Sequence, residues 1–157
     1  MKNIKIALIG NLGAGKQTII NLILGHKSIE GLPTKSLKMM MKRGEILNKY
    51  SALLVAGATE AIKSEEVKIE FFNNSDVVIF ITNKFKDMLE TSQLKQKMMD
   101  YLPNAQFAVI ANKQDLNDSV DATQVINFYN LPVIGIVATS PDHRDALINF
   151  LDEFIQV

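Results

Sequence analysis

Ile4-Lys5-Ile6-Ala7-Leu8-Ile9-Gly10-Asn11-Leu12-Gly13-Ala14-Gly15-Lys16-Gln17-Thr18 is the stretch that decides how the chain folds. Residues 4–9 are rich in β-branched side chains and are ended by Gly10, which predicts a buried strand. From Lys16 onward apolar residues recur at Ile19, Ile20, Ile23 and Leu24, the spacing of a helix, and Gly25 is placed to cap it. Between strand and helix lies the G-x-x-x-x-G-K part of a phosphate-binding loop. Its glycines let the backbone turn tightly, so that the N–H groups of Gly13, Ala14, Gly15, Lys16, Gln17 and Thr18 point inward at a phosphate chain. Lys16 would lie across the terminal phosphates. The next position ordinarily carries a Ser or Thr hydroxyl for Mg²⁺; here it is Gln17, and Thr18 comes one step late. Taken by itself, the stretch also reads as a Gly-rich turn with a solvated lysine.

Working outward, residues 26–36 contain Gly31 and Pro33 and read as a loop. Residues 37–42 and 50–56 read as a hairpin that turns near Lys42-Arg43-Gly44-Glu45, with Gly57 ending the second strand. Residues 59–72 predict a helix stopped by Asn73-Asn74-Ser75, followed by a strand over 76–82. A helix over 85–101, closed by Pro103, a strand over Gln106–Ala111, a helix over 121–128, a strand over 132–137 and a helix over 141–155 complete the alternation. Continuous apolar strands alternating with helices predict an α/β, three-layer fold. The sheet should have about six strands, parallel except for an antiparallel edge strand at 37–42. The length suits one domain over residues 1–157.

Composition narrows the function. Seventeen basic residues balance seventeen acidic ones, and only Arg43 and Arg144 are arginines, so no positive field favours a nucleic acid partner. With no cysteine, disulfides, thiolate metal sites and cysteine-linked lipids are excluded. Residue 2 is Lys2, not the glycine of a myristoylation signal, and the apolar runs are too short to span a membrane. A cytoplasmic protein without an encoded membrane anchor is the expectation. His26 and His143 lack metal-ligand spacing and read as surface loop residues, while Asp142 and Asp145 read as charges that favour the start of the last helix.

Asn112-Lys113-Gln114-Asp115 follows the strand Gln106–Ala111. An aspartate at the end of a parallel strand can accept two hydrogen bonds, from N1–H and the 2-amino group of guanine, a donor pair that adenine lacks. Lys113 can lie over the base and Asn112 can tie this loop to the phosphate loop; a polar turn after a strand is the bland alternative. Together with the phosphate loop, the order and spacing resemble the small GTPase family over almost the whole chain. The phrases Asn112-Lys113-Gln114-Asp115-Leu116 and Ala138-Thr139-Ser140 resemble its ADP-ribosylation-factor-like branch, and so does Pro33-Thr34.

The resemblance implies GTP or GDP as ligand. Residues 13–18 would surround the phosphates, with Gly57 at the γ-phosphate; Asn112, Lys113, Asp115, Leu116, Val137, Ala138 and Thr139 would surround the base, the Ala138 N–H meeting the base oxygen. It implies Mg²⁺ as well, with Gln17 and Thr34 as candidate ligands, and protein regulators or effectors as partners. The family's second switch begins Asp-x-x-Gly-Gln, and the matching stretch here is Leu54-Val55-Ala56-Gly57-Ala58. Leu54 stands for the aspartate and Ala58 for the water-orienting glutamine, and the first aspartate anywhere in the chain is Asp76. Mg²⁺ is therefore expected to be weakly held and hydrolysis slow. Glu60 or Thr59 could orient a water instead, and no catalytic residue is assigned. Two readings stay open: a regulatory GTP-binding switch with slow or partner-dependent hydrolysis, and a pseudo-GTPase scaffold that binds nucleotide statically or not at all.

Overall fold

The computed structural model describes residues 1–25, 38–116 and 119–155. The phosphate-loop stretch forms strand β1 (Lys2–Gly10), a turn, and helix α1 (Lys16–Leu24), which Gly25 ends in the left-handed conformation. An antiparallel hairpin follows, β2 (Met39–Ile46) and β3 (Tyr50–Ala58). Then come α2 (Thr59–Lys63), β4 (Val77–Thr82), α3 (Phe85–Ser92), α4 (Lys95–Tyr101), β5 (Gln106–Ala111), α5 (Ala122–Tyr129), β6 (Val133–Gly135) and α6 (Arg144–Ile155). The six strands make one sheet in the order β2-β3-β1-β4-β5-β6, parallel throughout except for edge strand β2.

Both faces of the sheet are covered, which is why its strands read as unbroken apolar runs. On one face Ile6, Leu8, Leu54 and Ile79 pack with Ile20 and Ile23 of α1 and Leu147 and Leu151 of α6. On the other, Ile9, Val55, Phe80 and Val109 pack with Ile62 of α2, Met88 of α3, Met98 of α4 and Tyr129 of α5. Arg144 joins α6 to the end of α1: its guanidinium donates to the last-turn carbonyls of Leu22 at 2.9 Å and Ile23 at 3.1 Å. No helix among the described residues is long and apolar enough to cross a membrane.

Three local expectations change. The hairpin turns at Leu47-Asn48, both left-handed (φ 56 and 55), and not at 42–45, because this turn type matches the twist of the flanking strands. Gly44 lies inside β2, where Leu24 packs onto it. The helix expected over 59–72 stops at Lys63: Glu65 turns left-handed (φ 64), and the chain resumes as a 3-10 turn at Ile69–Phe72 that delivers Phe72 to the core. The helix expected over 85–101 divides into α3 and α4 around Leu94, which is buried. The loop expected over 26–36 lies outside the described residues.

Gly57 stands inside the β3 ladder, between Ile9 of β1 and Met39 of β2. A Cβ there would come 2.6 Å from Phe72 Cζ and 3.2 Å from Ile62 Cδ1. Gly57→Ala should therefore overpack this contact and cost about 1–3 kcal/mol. Thermal denaturation should show a midpoint lower by roughly 3–9 °C, and Phe72→Leu in the same chain should recover part of the loss. An unchanged midpoint for Gly57→Ala would show that the Phe72 ring has room to move.

Candidate functional site

After β1 the backbone reverses through Ala14 N–H, which donates to Asn11 O at 3.0 Å, and through Gly13 and Gly15, both at positive φ (84 and 98). Helix α1 then starts without a side-chain cap, leaving first-turn N–H groups facing the loop. The Lys16 ammonium folds back onto the loop and donates to Gly10 O at 2.8 Å and Asn11 O at 2.9 Å. It is only 9% exposed. Burial pushes its pKa down to about 8, partly opposed by the negative fields of Glu60 and Asp87.

Residues far away in sequence hold the loop from outside. Asn11 donates to Glu90 Oε2 at 2.6 Å and accepts from the Thr91 hydroxyl at 2.8 Å. Thr91 in turn bonds Thr59 at 2.8 Å, at the start of α2. Leu12 N–H donates to the Glu60 carboxylate at 3.1 and 3.2 Å. Glu60 thus reaches the rim of the phosphate loop, whereas the Thr59 hydroxyl is buried away from it.

The loop after β5 docks onto the phosphate loop. Asn112, 2% exposed, donates through Nδ2 to Ala14 O at 3.0 Å and accepts through Oδ1 from Ala138 N–H at 3.0 Å. The amide passes so close that a Cβ on Gly15 would lie 2.4 Å from Nδ2, a second reason for glycine at that position. Lys113 Nζ donates to Gly13 O at 2.7 Å. These contacts enclose a cleft of about 230 Å³. Gly15 and Thr18 line one side, Asn112, Lys113, Asp115 and Leu116 another, and Val137, Ala138 and Thr139 the third. Nine of the residues expected around a nucleotide therefore meet at one opening. The Ala138 N–H, expected to face a base oxygen, is already bonded to Asn112.

Other expected residues stand elsewhere. Leu54 is fully buried opposite Ile6, while Ala58 is the residue opposite Gly10. Leu54 therefore sits about 13 Å down the strand from the loop, too far to be the position of a metal-bound carboxylate. Ala56, two residues on and on the same face, is nearer the loop and carries no carboxylate. Gly57, expected at the γ-phosphate, is held in the ladder against Phe72. Thr34 lies outside the described residues.

Gln17 Oε1 is buried and has no hydrogen-bond partner among the described residues. No group of three or more His, Cys, Asp or Glu side chains among them is arranged to hold a metal. This donor set fits a Mg²⁺ carried in on phosphates, with Gln17 Oε1 as one neutral protein ligand. Sequence reasoning missed Glu60, Glu90 and Thr91 as holders of the phosphate loop, and it missed His143, which accepts from Val137 N–H at 2.8 Å. None of the four belongs to a local pattern.

A family model, the ADP-ribosylation factor family, matches residues 1–149. The chain belongs to the ADP-ribosylation factor family. It is 27% identical over 128 residues to ADP-ribosylation factor-like protein 10 of Mus musculus, covering 77% of this chain and 49% of that protein. It is 24% identical over 135 residues to ADP-ribosylation factor K of Dictyostelium discoideum, covering 83% of this chain and 69% of that protein. A GTPase Der of Listeria welshimeri is 25% identical over 155 residues, 94% of this chain and 35% of that protein. The chain thus spans about half the length of the mouse relative and about a third of the bacterial one.

In this member of the ADP-ribosylation factor family, the buried lysine makes the ligand-free fold sensitive to pH. Between about 8, the folded pKa, and 10.5, the ordinary value, only the unfolded chain holds the Lys16 proton, so stability rises with pH across that window. Urea unfolding at roughly pH 7.5 and 9.5 should show a gain larger by about 2 kcal/mol in the unsubstituted protein than in Lys16→Met. Equal gains would mean that the ammonium is better solvated than its two carbonyl bonds indicate.

Proposed function

We propose that the chain is a guanine-nucleotide-binding regulatory GTPase whose hydrolysis is slow or partner-dependent. The observation that carries the reading is the docking of Asn112 and Lys113 onto Ala14 and Gly13, which sets Asp115 across one cleft from the phosphate loop. In this reading the N–H groups of residues 13–18 and the Lys16 ammonium hold the phosphates. Lys16 exchanges two carbonyl bonds for phosphate oxygens, which relieves a desolvated charge. The Asp115 carboxylate accepts from guanine N1–H and the 2-amino group, and Lys113 covers the base. Family membership favours this over a scaffold that binds no nucleotide.

Slow turnover rests on the junction of β3 and α2. Phosphoryl transfer depends on positioning and on charge placed around the reacting oxygens. At this junction Ala56 and Ala58 supply neither a carboxylate nor an amide, and Thr59 is turned inward to Thr91. Glu60 is the polar side chain there that meets the loop. When bound on the phosphates, Mg²⁺ would neutralise charge between them, with Gln17 as its ligand from α1. A neutral amide without a companion carboxylate gives the protein a weak hold on the ion. A cytoplasmic setting, with protein regulators or effectors that supply missing catalytic groups, goes with this reading.

The test is a titration with GDP, ADP and xanthosine diphosphate. The unsubstituted protein should prefer GDP. Asp115→Asn should lose roughly 10- to 100-fold in GDP affinity, because hydrogen bonds to a charged acceptor are removed, and should gain xanthosine diphosphate affinity. Replacing Mg²⁺ by EDTA should change GDP affinity by less than about tenfold if the protein holds the ion weakly. Equal binding of GDP and ADP would refute the base-site assignment, and release of GDP by EDTA would refute the weak metal site.

A further inference from the structure

We propose that His143 is a positioning residue for guanine recognition: its imidazole holds the 137–139 loop in the shape that the base meets. The inference rests on the guanine reading of the cleft. Strand β6 ends at Gly135, and the last regular bond to β5 is made by Ile136 N–H to Ala111 O at 2.9 Å. From Val137 onward the chain leaves the sheet and forms one wall of the cleft without a ladder to fix it. Val137 N–H is instead taken by His143 Nδ1 at 2.8 Å. The next N–H, that of Ala138, is taken by Asn112 Oδ1 at 3.0 Å. Consecutive amides of the wall are thus held by side chains from opposite sides, one from the start of the last helix and one from the base loop.

His143 is well placed for this. Ser140 N–H donates to Val137 O at 2.9 Å, and His143 N–H donates to Ser140 O at 3.1 Å, so the segment closes back on itself. Pro141 opens the 3-10 turn that carries the ring, fixing its own φ. The neighbouring Arg144 is bound to the last carbonyls of α1, so the ring is presented from a fixed backbone. Because Nδ1 accepts here, the proton of the neutral imidazole is on Nε2. The half-buried Val137 N–H has no other acceptor among the described residues. Removing the ring frees that amide to reorient and loosens the wall that Ala138 and Thr139 share with the base. The phosphate loop keeps its own ties to Asn112, Lys113 and Glu60.

The prediction is a loss of selectivity rather than of folding. Asparagine is the conservative replacement, since its Oδ1 stands one bond from Cγ as Nδ1 does in histidine and can accept the same hydrogen. Competition of GDP and of ADP against fluorescent GDP should be measured for the unsubstituted protein, His143→Ala and His143→Asn, with ligand-free melting midpoints alongside. His143→Ala should lower the preference for GDP over ADP roughly tenfold, the order expected when a half-buried amide loses its acceptor, and His143→Asn should restore most of it. A purely structural role would lower the melting midpoint of His143→Ala and weaken both nucleotides alike, leaving the preference unchanged, and that result would overturn the inference while the guanine reading stands. Failure of the unsubstituted protein to bind fluorescent GDP would overturn the guanine reading and this inference with it.

Discussion

The side-chain amide of Asn112 is the tie on which the site depends. Strands β1 and β5 are not neighbours; β4 lies between them, so the loops that follow are separated by about 10 Å of sheet. Asn112 crosses that gap. Its backbone N–H is fixed to Thr82 O at the end of β4 at 2.8 Å, its Nδ2 reaches Ala14 in the phosphate loop, and its Oδ1 holds Ala138 beyond β6. A buried amide satisfied at both ends is rigid, because losing either partner would strand a polar group away from water. The glycine at position 15 is part of the same arrangement, since any side chain there would displace the amide.

Around this tie the phosphate loop is built under electrostatic tension. A buried ammonium and a helix start without a side-chain cap both favour a bound anion. Three carboxylates, Glu60, Asp87 and Glu90, surround the loop and temper that field. Asp87 itself has a pKa raised by burial first and by Glu90 next, the mark of acids crowded on one rim. Such a site is held in shape by the sheet beneath it, and an anion bound as proposed would relieve the desolvated charge of Lys16.

Much of the fold was legible because its signals are local. Alternating apolar runs give the strands, helical spacing gives α1 and α6, and Gly25 marks a helix end by chemistry alone. The two misjudged helices share one cause: tertiary packing overrode periodicity. Phe72 and Leu94 are drawn into the core and break helices that the sequence pattern would continue, and Gly44 and Gly57 are small because Leu24 and Phe72 press on them, not because the chain turns there. The residues that line the cleft stand in short contiguous stretches, the Gly-rich turn after β1 and the polar turns after β5 and β6, and so could be read together from the sequence. Glu90, Thr91 and His143 could not, and Glu60 could be named but not tied to Leu12, since each acts through a contact whose partner is fixed only by the sheet order or by a turn geometry. Leu54 was misplaced by aligning motifs along the sequence; the register with β1 puts the loop-side end of β3 at Ala56 and Ala58.

In the proposed function one cleft joins a phosphate loop to a guanine pocket. Its most direct test is the mass of whatever nucleotide is released when the purified protein is denatured after incubation with an equimolar mixture of GTP, GDP, ATP and ADP and removal of unbound ligand. Guanine nucleotides should be released in near-stoichiometric amount, with little or no adenine nucleotide. Equal amounts of adenine and guanine nucleotides, or no nucleotide at all, would contradict it.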